Sequence, residues 1–183
     1  MMRARFQLVL GVLVVLGAVT GSTIAGASPH SYRLHVQGRL SSGAPSLDID
    51  VPWDSNHGGT PFDFTGDACH DLALGRLRWA WATLQRMPEG RTVTIDTGSE
   101  TIRAWRQAGH LVLEPRHDTR DDHHSRIKIP DYIVNTILEH DGRLTHRDIE
   151  RLARERGRIT LVKVNSDVGG VTVWMDCNDD AVE

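Results

Sequence analysis

Hydrophobic and polar residues alternate along two stretches of the chain in the same pattern. Residues 93–105 (VTIDTGSETIRAW) align with residues 162–174 (VKVNSDVGGVTVW) without a gap. Each stretch runs apolar–polar–apolar, crosses a polar or glycine-containing turn, and resumes the alternation up to a tryptophan, Trp105 or Trp174. A period of two is typical of strands with one buried face, and a short polar break joins two such strands in a hairpin. The pattern therefore predicts two similar β-hairpins.

A further strand that ends at a proline precedes each hairpin. Residues 47–52 (LDIDVP) resemble residues 126–130 (RIKIP). Proline cannot donate to a strand ladder, so it suits the end of a strand. The alternating stretches 32–40 (YRLHVQGRL) and 110–114 (HLVLE) predict two additional strands.

The segments between each proline and its hairpin have the periodicity of helices. Residues 66–87 place apolar side chains every three or four positions, and Gly75 offers a point at which this helix divides in two. In the second copy a short apolar face comes first. A second helix then begins at Thr145, which forms with Asp148 the pattern of a capping box. Gly157 suits the end of that helix.

These elements predict an α+β fold of two tandem homologous units, each strand–helix–helix–strand–strand. A unit of this size buries too little surface to be stable alone, so we expect the two to pack together. The predicted organisation is a signal peptide (1–27), the first unit with its preceding strand (28–115), a charged connector rich in His and Asp (116–125), the second unit (126–177) and an acidic tail (178–183).

The repeated pattern resembles a small unit of uncharacterised bacterial exported or envelope proteins. That unit has a strand ending in Val-Pro or Ile-Pro, two short helices, and a hairpin reading V-x-I-D…V-x-V-W. The resemblance covers residues 47–106 and 126–176. It implies the fold and carries no activity. The first unit departs from the pattern by a longer loop at residues 55–61, and its Trp79 and Trp81 have no counterparts in the second.

The N-terminus has the three parts of a secretory signal peptide. Arg3 and Arg5 form a short positive region, an apolar stretch follows, and Ala25-Gly26-Ala27 supplies a cleavage signal. The alternative is an uncleaved helix that anchors the protein, since residues 7–27 approach the length of a membrane span. We expect an exported protein, periplasmic or secreted, with no membrane attachment after cleavage.

Cys69 and Cys177 are the two cysteines of the chain. In an oxidising compartment an even number of cysteines favours a disulfide. Closing a loop of about a hundred residues stabilises a fold by roughly 4–5 kcal/mol in the chain-entropy model. Two separate thiols are the alternative, because spacing alone does not bring the two Cβ atoms within bonding distance.

The overall charge excludes some classes of function. The net charge is −3, and removal of Arg3 and Arg5 with a signal peptide would make it −5. Nucleic-acid binders carry a basic surface and a high isoelectric point, so nucleic acid is not an expected partner. A polybasic membrane-surface protein is disfavoured for the same reason.

Residues 117–126 (HDTRDDHHSR) contain His117, His123 and His124, which are chemically suitable ligands for Zn, Cu or Ni. Their spacing matches no metal motif, since adjacent histidines point in different directions on a strand or a helix. Three neighbouring arginines also oppose a cation. We therefore interpret the segment as a connector between the units, with metal capture as the alternative.

No catalytic residue is predicted. The chain lacks a G-x-S-x-G nucleophile elbow and a phosphate-binding loop. The pair His70 and Asp71 is explained by its place in the first turn of a helix, where an acidic side chain favours the helix dipole.

Trp105 and Trp174 are the best candidates for an interaction surface. If their apolar neighbours in each strand face the helices, both indoles lie on the opposite face of the sheet. There they would seal one unit against the other or contact a partner. Trp79 and Trp81 lie two residues apart on a helix, so they cannot both point inward.

The sequence thus predicts a non-catalytic exported module, without a cofactor, that binds or scaffolds another envelope protein. The alternative is a His-rich exported protein that captures or depends on metal. A small hydrolase stays as a third hypothesis, since a single sequence does not reveal residues brought together by folding.

Overall fold

Strands make up most of the described chain. The computed structural model describes residues 31–40, 47–53, 62–63, 68–96, 101–116, 125–167 and 169–178, without the side chains of 31, 62–63, 68–73 and 178. The strands are β1 (Ser31–Leu40), β2 (Leu47–Trp53), β3 (Phe62–Asp63), β4 (Thr92–Asp96), β5 (Thr101–Gln107), β6 (His110–Arg116), β7 (Ser125–Pro130), β8 (Arg143–Leu144), β9 (Ile159–Ser166) and β10 (Gly169–Asn178). The helices are α1 (Ala68–Arg86), α2 (Asp131–Glu139) and α3 (His146–Arg156).

Eight strands form one antiparallel sheet in the order β2-β1-β10-β9-β7-β6-β5-β4, and β3 pairs separately with β8. The α+β class expected from the sequence is confirmed at this level. The strands that precede the prolines are β2 and β7, and the two additional strands are β1 and β6. Because β1 pairs with both β2 and β10, it joins the first and the last part of the described chain in one sheet.

The two predicted hairpins, β4–β5 and β9–β10, are both present and pair in the same register up to the residue before each tryptophan. Val93 lies opposite Ala104 in the first hairpin, and Val162 lies opposite Val173 in the second. The sequence alignment equates Val93 with Val162 and Ala104 with Val173, so it matches the pairing of the strands as well as their residues.

The three described helices pack on one face of the sheet. Helix α1 buries Ala80, Trp81 and Leu84 in a cluster with β4, β5 and β6. Helices α2 and α3 pack over β1, β9 and β10 in a second cluster. Ile129 contacts both clusters. The indole nitrogen of Trp81 donates to Asn135 Oδ1 of α2 at 2.8 Å, which links the two parts of this layer.

Helix α1 runs through Gly75 without a break, so the suggested division at this glycine is wrong. A Cβ at Gly75 would meet no atom within 4 Å. Glycine costs a helix interior about 1 kcal/mol relative to alanine, and the buried face of the helix offsets that cost. Trp81 is 4% exposed and Trp79 is 61% exposed, which confirms that the two indoles do not both point inward.

Helix α3 begins and ends as its sequence indicates. The Thr145 hydroxyl accepts a hydrogen bond from the Asp148 backbone N–H, and the Asp148 carboxylate accepts one from the Thr145 N–H, so the predicted capping box is confirmed. Gly157 follows the last turn with φ +75°, a conformation that side chains with a Cβ rarely adopt. His140 Nδ1 lies 3.0 Å from Asp148 Oδ2 and connects the end of α2 to this cap.

Asp148→Asn is expected to lower the free energy of unfolding by about 1–3 kcal/mol at neutral pH, because it weakens charge-assisted hydrogen bonds to a buried carboxylate. Burial alone would raise the pKa of Asp148, but hydrogen bonds from Thr145 and the nearby His140 outweigh it and lower the pKa from 3.8. A lowered folded-state pKa gives stability that is present above the ordinary carboxyl pKa and lost as the pH falls through the folded-state pKa. Urea unfolding across the acid range should therefore show the advantage of the wild type shrinking below about pH 4. A constant difference would contradict the assignment.

The Tyr132 hydroxyl completes the sheet where β7 ends. The register of β9 and β10 shifts between Val173 and Trp174, and β7 pairs with β9 no further than Lys128. Tyr132 donates to the Thr160 carbonyl at 2.9 Å and accepts from the Thr160 N–H at 3.1 Å. One side chain therefore takes the place of a strand partner for Thr160.

The signal peptide, the His-containing stretch 117–124 and most of the acidic tail lie outside the described residues. Within the described ranges, no helix is both long and apolar enough to cross a membrane.

Candidate binding face

One face of the eight-stranded sheet is not covered by any of the described helices. Side chains alternate along a strand, so residues between core positions point away from the helices. On β5, Ala104 belongs to the core and Trp105 points the other way. On β10, Val173 and Met175 belong to the core and Trp174 points away. We call this helix-free surface the open face.

Trp174 is 9% exposed although it lies on the open face. His35, its cross-strand partner on β1, stacks on the indole with ring centroids 5.0 Å apart and planes within 5° of parallel. The guanidinium carbon of Arg158 lies 4.5 Å from the indole centroid, within the range of a cation–π contact. The indole is thus fixed in place and largely covered by its neighbours.

His35 lies between two carboxylates. Its Nε2 is 3.1 Å from Asp176 Oδ1, and its Nδ1 is 3.7 Å from Asp50 Oδ1. Arg33 Nε donates to the same Asp50 oxygen at 2.8 Å. This hydrogen bond is the main reason why the pKa of Asp50 is lowered, and the nearby His35 adds to the effect. The carboxylates and Trp174 together fix the orientation of the imidazole ring.

A second group of side chains surrounds Trp105 at the other end of the open face. The Arg126 guanidinium carbon lies 5.9 Å from the Trp105 ring centroid, and Arg126 Nε is 3.9 Å from Glu114 Oε1. Glu114 is 8% exposed. Trp105, Arg103 and Glu114 contribute to the wall of an open depression of about 270 Å³. The indole of Trp105 is half-buried and borders this depression.

The centre of the open face is basic. Lys128 on β7 lies directly opposite Lys163 on β9, and neither lysine forms an ion pair within the described part of the chain. On the described parts of β5, β6, β7 and β9, this face carries five basic side chains and one carboxylate, Glu114. The basic residues are Arg103, Arg116, Arg126, Lys128 and Lys163.

Such a surface can hold an anionic ligand that also has apolar parts. Guanidinium and ammonium groups form strong hydrogen bonds with carboxylates and phosphates. An indole offers a large apolar area with little conformational entropy to lose. Of the two tryptophans, Trp105 borders open space, whereas Trp174 is already covered.

The structure places the predicted interaction residues Trp105 and Trp174 on one face, at separate positions. His117, His123 and His124 lie outside the described residues, so metal binding there stays a prediction. Within the described ranges, no group of three or more His, Cys, Asp or Glu side chains is arranged to hold a metal ion. Cys177 lies half-buried on β10 against the second core cluster, but the Cys69 side chain is not described, so the disulfide stays a prediction.

Sequence reasoning missed the group around His35. Its local signal was present, because Arg33, His35 and Gln37 alternate with buried residues and so share one face of β1. The approach of Asp50 and Asp176 depends on β1 pairing with both β2 and β10, and β10 lies at the far end of the chain.

The comparisons with known proteins identify no relative. Neither a protein-family model, a curated protein nor a solved structure matches this chain. The geometry of the open face is therefore the basis for assigning a function.

Proposed function

We propose that the protein is a non-catalytic exported module that binds an acidic segment of another envelope protein through the open face. The observation that carries this proposal is the basic centre of that face, where Lys128 and Lys163 lie opposite each other on strands between those of Trp105 and Trp174. Like charges directly opposite on neighbouring strands are destabilising. A cluster of this kind at the centre of an acidic protein is explained by a ligand that neutralises it.

The distribution of charge favours a protein segment over a uniform polyanion. The chain as a whole carries a net charge of −3. At the β2 end of the open face, Asp48 and Asp50 lie on the edge strand, and Asp176 lies on β10. A nucleic acid or an anionic membrane would meet these carboxylates as well as the lysines. A bounded acidic stretch can contact the basic centre and leave the acidic edge in water.

The tryptophans supply the apolar part of the proposed interface. Aromatic residues and arginine are enriched at interfaces, and a few of them supply most of the binding energy. Trp105 is suited to contact the partner, because it borders the depression beside Arg103 and Arg126. Trp174 is better suited to supporting the face from within, since it is covered by His35 and Arg158.

The chain is proposed to be a tandem repeat of two homologous units, as the sequence predicts. Matching registers support this. When Pro52 is equated with Pro130, Val51 corresponds to Ile129. Val51 lies opposite Leu34 of β1, and Ile129 lies opposite Leu111 of β6. By the same correspondence β6 is the counterpart of β1, so the proposed boundary moves from residue 115 to the turn between β5 and β6.

Trp105 and Trp174 occupy equivalent places in these two units. Trp105 lies opposite Val112 of β6, and Trp174 lies opposite His35 of β1. The units differ in what covers each indole, which favours different roles for the two residues.

Export through the signal peptide at residues 1–27 and a disulfide between Cys69 and Cys177 belong to the same proposal.

Calorimetric titration of the purified exported protein with a short glutamate-rich peptide that contains one aromatic residue tests the function. We expect micromolar binding at low salt that weakens steadily as salt is added, because exposed charges are screened. A lysine-rich peptide of the same length is the control and should not bind. Absence of binding to the acidic peptide at low salt, or equal binding of both peptides, would refute the proposal.

A further inference from the structure

The two ends of the eight-stranded sheet are strands paired on one side. Within the described residues, β2 pairs with β1 alone and β4 pairs with β5 alone. The outer edge of such a strand presents backbone N–H and C=O groups that can pair with another strand. Neither outer edge is paired with a described strand, so each is a candidate for recognition by a further strand.

The pairing of β7 with β9 indicates which kind of strand each of these edges would pair with. By the correspondence proposed above, β2 is the counterpart of β7, and β4 is the counterpart of β9. Strands β7 and β9 pair directly with each other, with Ile127 opposite Val164 and Arg126 opposite Asn165. The unpaired edge of β2 therefore corresponds to a strand edge that recognises a β4-type strand within the same chain.

We propose that β2 of one copy of this protein pairs antiparallel with β4 of a second copy, in the register of β7 and β9. Pro52 corresponds to Pro130, and Val93 corresponds to Val162. If β2 and β4 pair in the register of β7 and β9, these two correspondences place Ile49 opposite Ile95 and Asp48 opposite Asp96. The inference builds on the proposed tandem repeat and does not depend on the ligand of the open face.

A second copy is the proposed partner, because β2 and β4 lie at opposite ends of the sheet and do not pair with each other in the described part of the chain. The apolar pair would continue the helix-side core, since Ile95 is buried in one cluster and Ile49 packs against the other. Pairing at both edges closes a two-copy assembly, and pairing at one edge leaves a strand for a further copy.

Two opposed carboxylates would weaken the proposed interface. Asp48 would face Asp96, whereas the counterpart pair is Arg126 and Asn165. Directly opposed like charges destabilise an antiparallel pair. Asp48→Asn is therefore expected to raise the association constant of the two copies about 2- to 5-fold in sedimentation equilibrium.

Cysteine cross-linking between differently tagged copies tests the pairing. One copy carries Asp48→Cys and the other Asp96→Cys, both at exposed positions. After mild oxidation we expect a disulfide that joins the two tags, assigned by peptide mapping so that Cys69 and Cys177 are distinguished from the new thiols. Asp48→Cys mixed with Thr94→Cys, two residues out of register, is the matched control and should cross-link several-fold less.

Three results would overturn the inference. One is no mixed-tag product above the out-of-register control. Another is a chain carrying both Asp48→Cys and Asp96→Cys that closes on itself as a monomer, which would mean that the edges meet within one sheet. The third is a wild-type protein that stays monomeric at every concentration while Asp48→Asn leaves it unchanged. Loss of peptide binding by the open face would affect none of these readouts.

Discussion

Trp174→Ala is expected to lower the free energy of unfolding by about 3–5 kcal/mol, the usual cost of truncating a buried tryptophan. The indole is 9% exposed, stacks on His35 and lies beneath Arg158. Its removal leaves a cavity and takes away the surface on which the imidazole rests. In a domain of this size each kcal/mol corresponds to roughly 2–4 °C in Tm, so a shift of about ten degrees should appear in thermal unfolding followed by circular dichroism.

Two of the other tryptophans, Trp79 and Trp105, provide matched controls. Trp79→Ala should change stability by less than about 0.5 kcal/mol, because that indole is 61% exposed on α1. Trp105→Ala should cost less than Trp174→Ala and should weaken binding of the acidic peptide, since its indole borders the depression. If Trp174→Ala proved as mild as Trp79→Ala, the indole would not be the support that its contacts indicate.

Lys163→Glu is expected to make the protein more stable and a poorer binder at the same time. The substitution replaces two opposed lysines with an opposite-charge pair between Lys128 and residue 163. Such a pair is worth about 0.2–1 kcal/mol across neighbouring strands. The affinity for the acidic peptide should fall roughly tenfold, about 1.4 kcal/mol, because a ligand contact reverses its charge.

Arg147→Glu is the control for this charge reversal. Arg147 is exposed on α3, away from the open face, and a carboxylate in the first turn of a helix is favourable. It changes the net charge by the same amount and should leave peptide affinity unchanged. Equal losses of affinity in the two variants would mean that net charge, and not the open face, governs binding. A loss of stability in Lys163→Glu would mean that Lys163 has a structural role.

The parts of the fold that follow from local sequence could be predicted. Period-two alternation identified both hairpins and the strands that contain Pro52 and Pro130, because a strand with one buried face must alternate. The second of these ends at its proline as expected, whereas the first continues to Trp53. The Thr145–Asp148 box and Gly157 fixed the ends of α3, because caps satisfy backbone groups within one turn. The position of Trp105 and Trp174 opposite the helices followed from the same alternation.

The parts of the fold that depend on pairing between distant segments could not be predicted from the sequence. Nothing local indicates that β1 inserts between β2 and β10, and this insertion brings His35 to Asp50 and Asp176. The opposition of Lys128 and Lys163 likewise requires the register of β7 and β9. The predicted division of α1 at Gly75 was wrong because helix propensity is a weak preference. The burial of Ala80, Trp81 and Leu84 overrides it.

Residue-level mapping of the acidic peptide by nuclear magnetic resonance shows whether the open face is the binding site. The isotopically labelled protein is titrated with the peptide, and backbone and indole N–H shifts are followed. The largest shift changes are expected at Lys128, Lys163 and the indole of Trp105, and the shifts of residues in α1 and α3 should stay unchanged. Changes centred on the helices, or spread evenly over the surface, would contradict the proposal that the open face is the binding site.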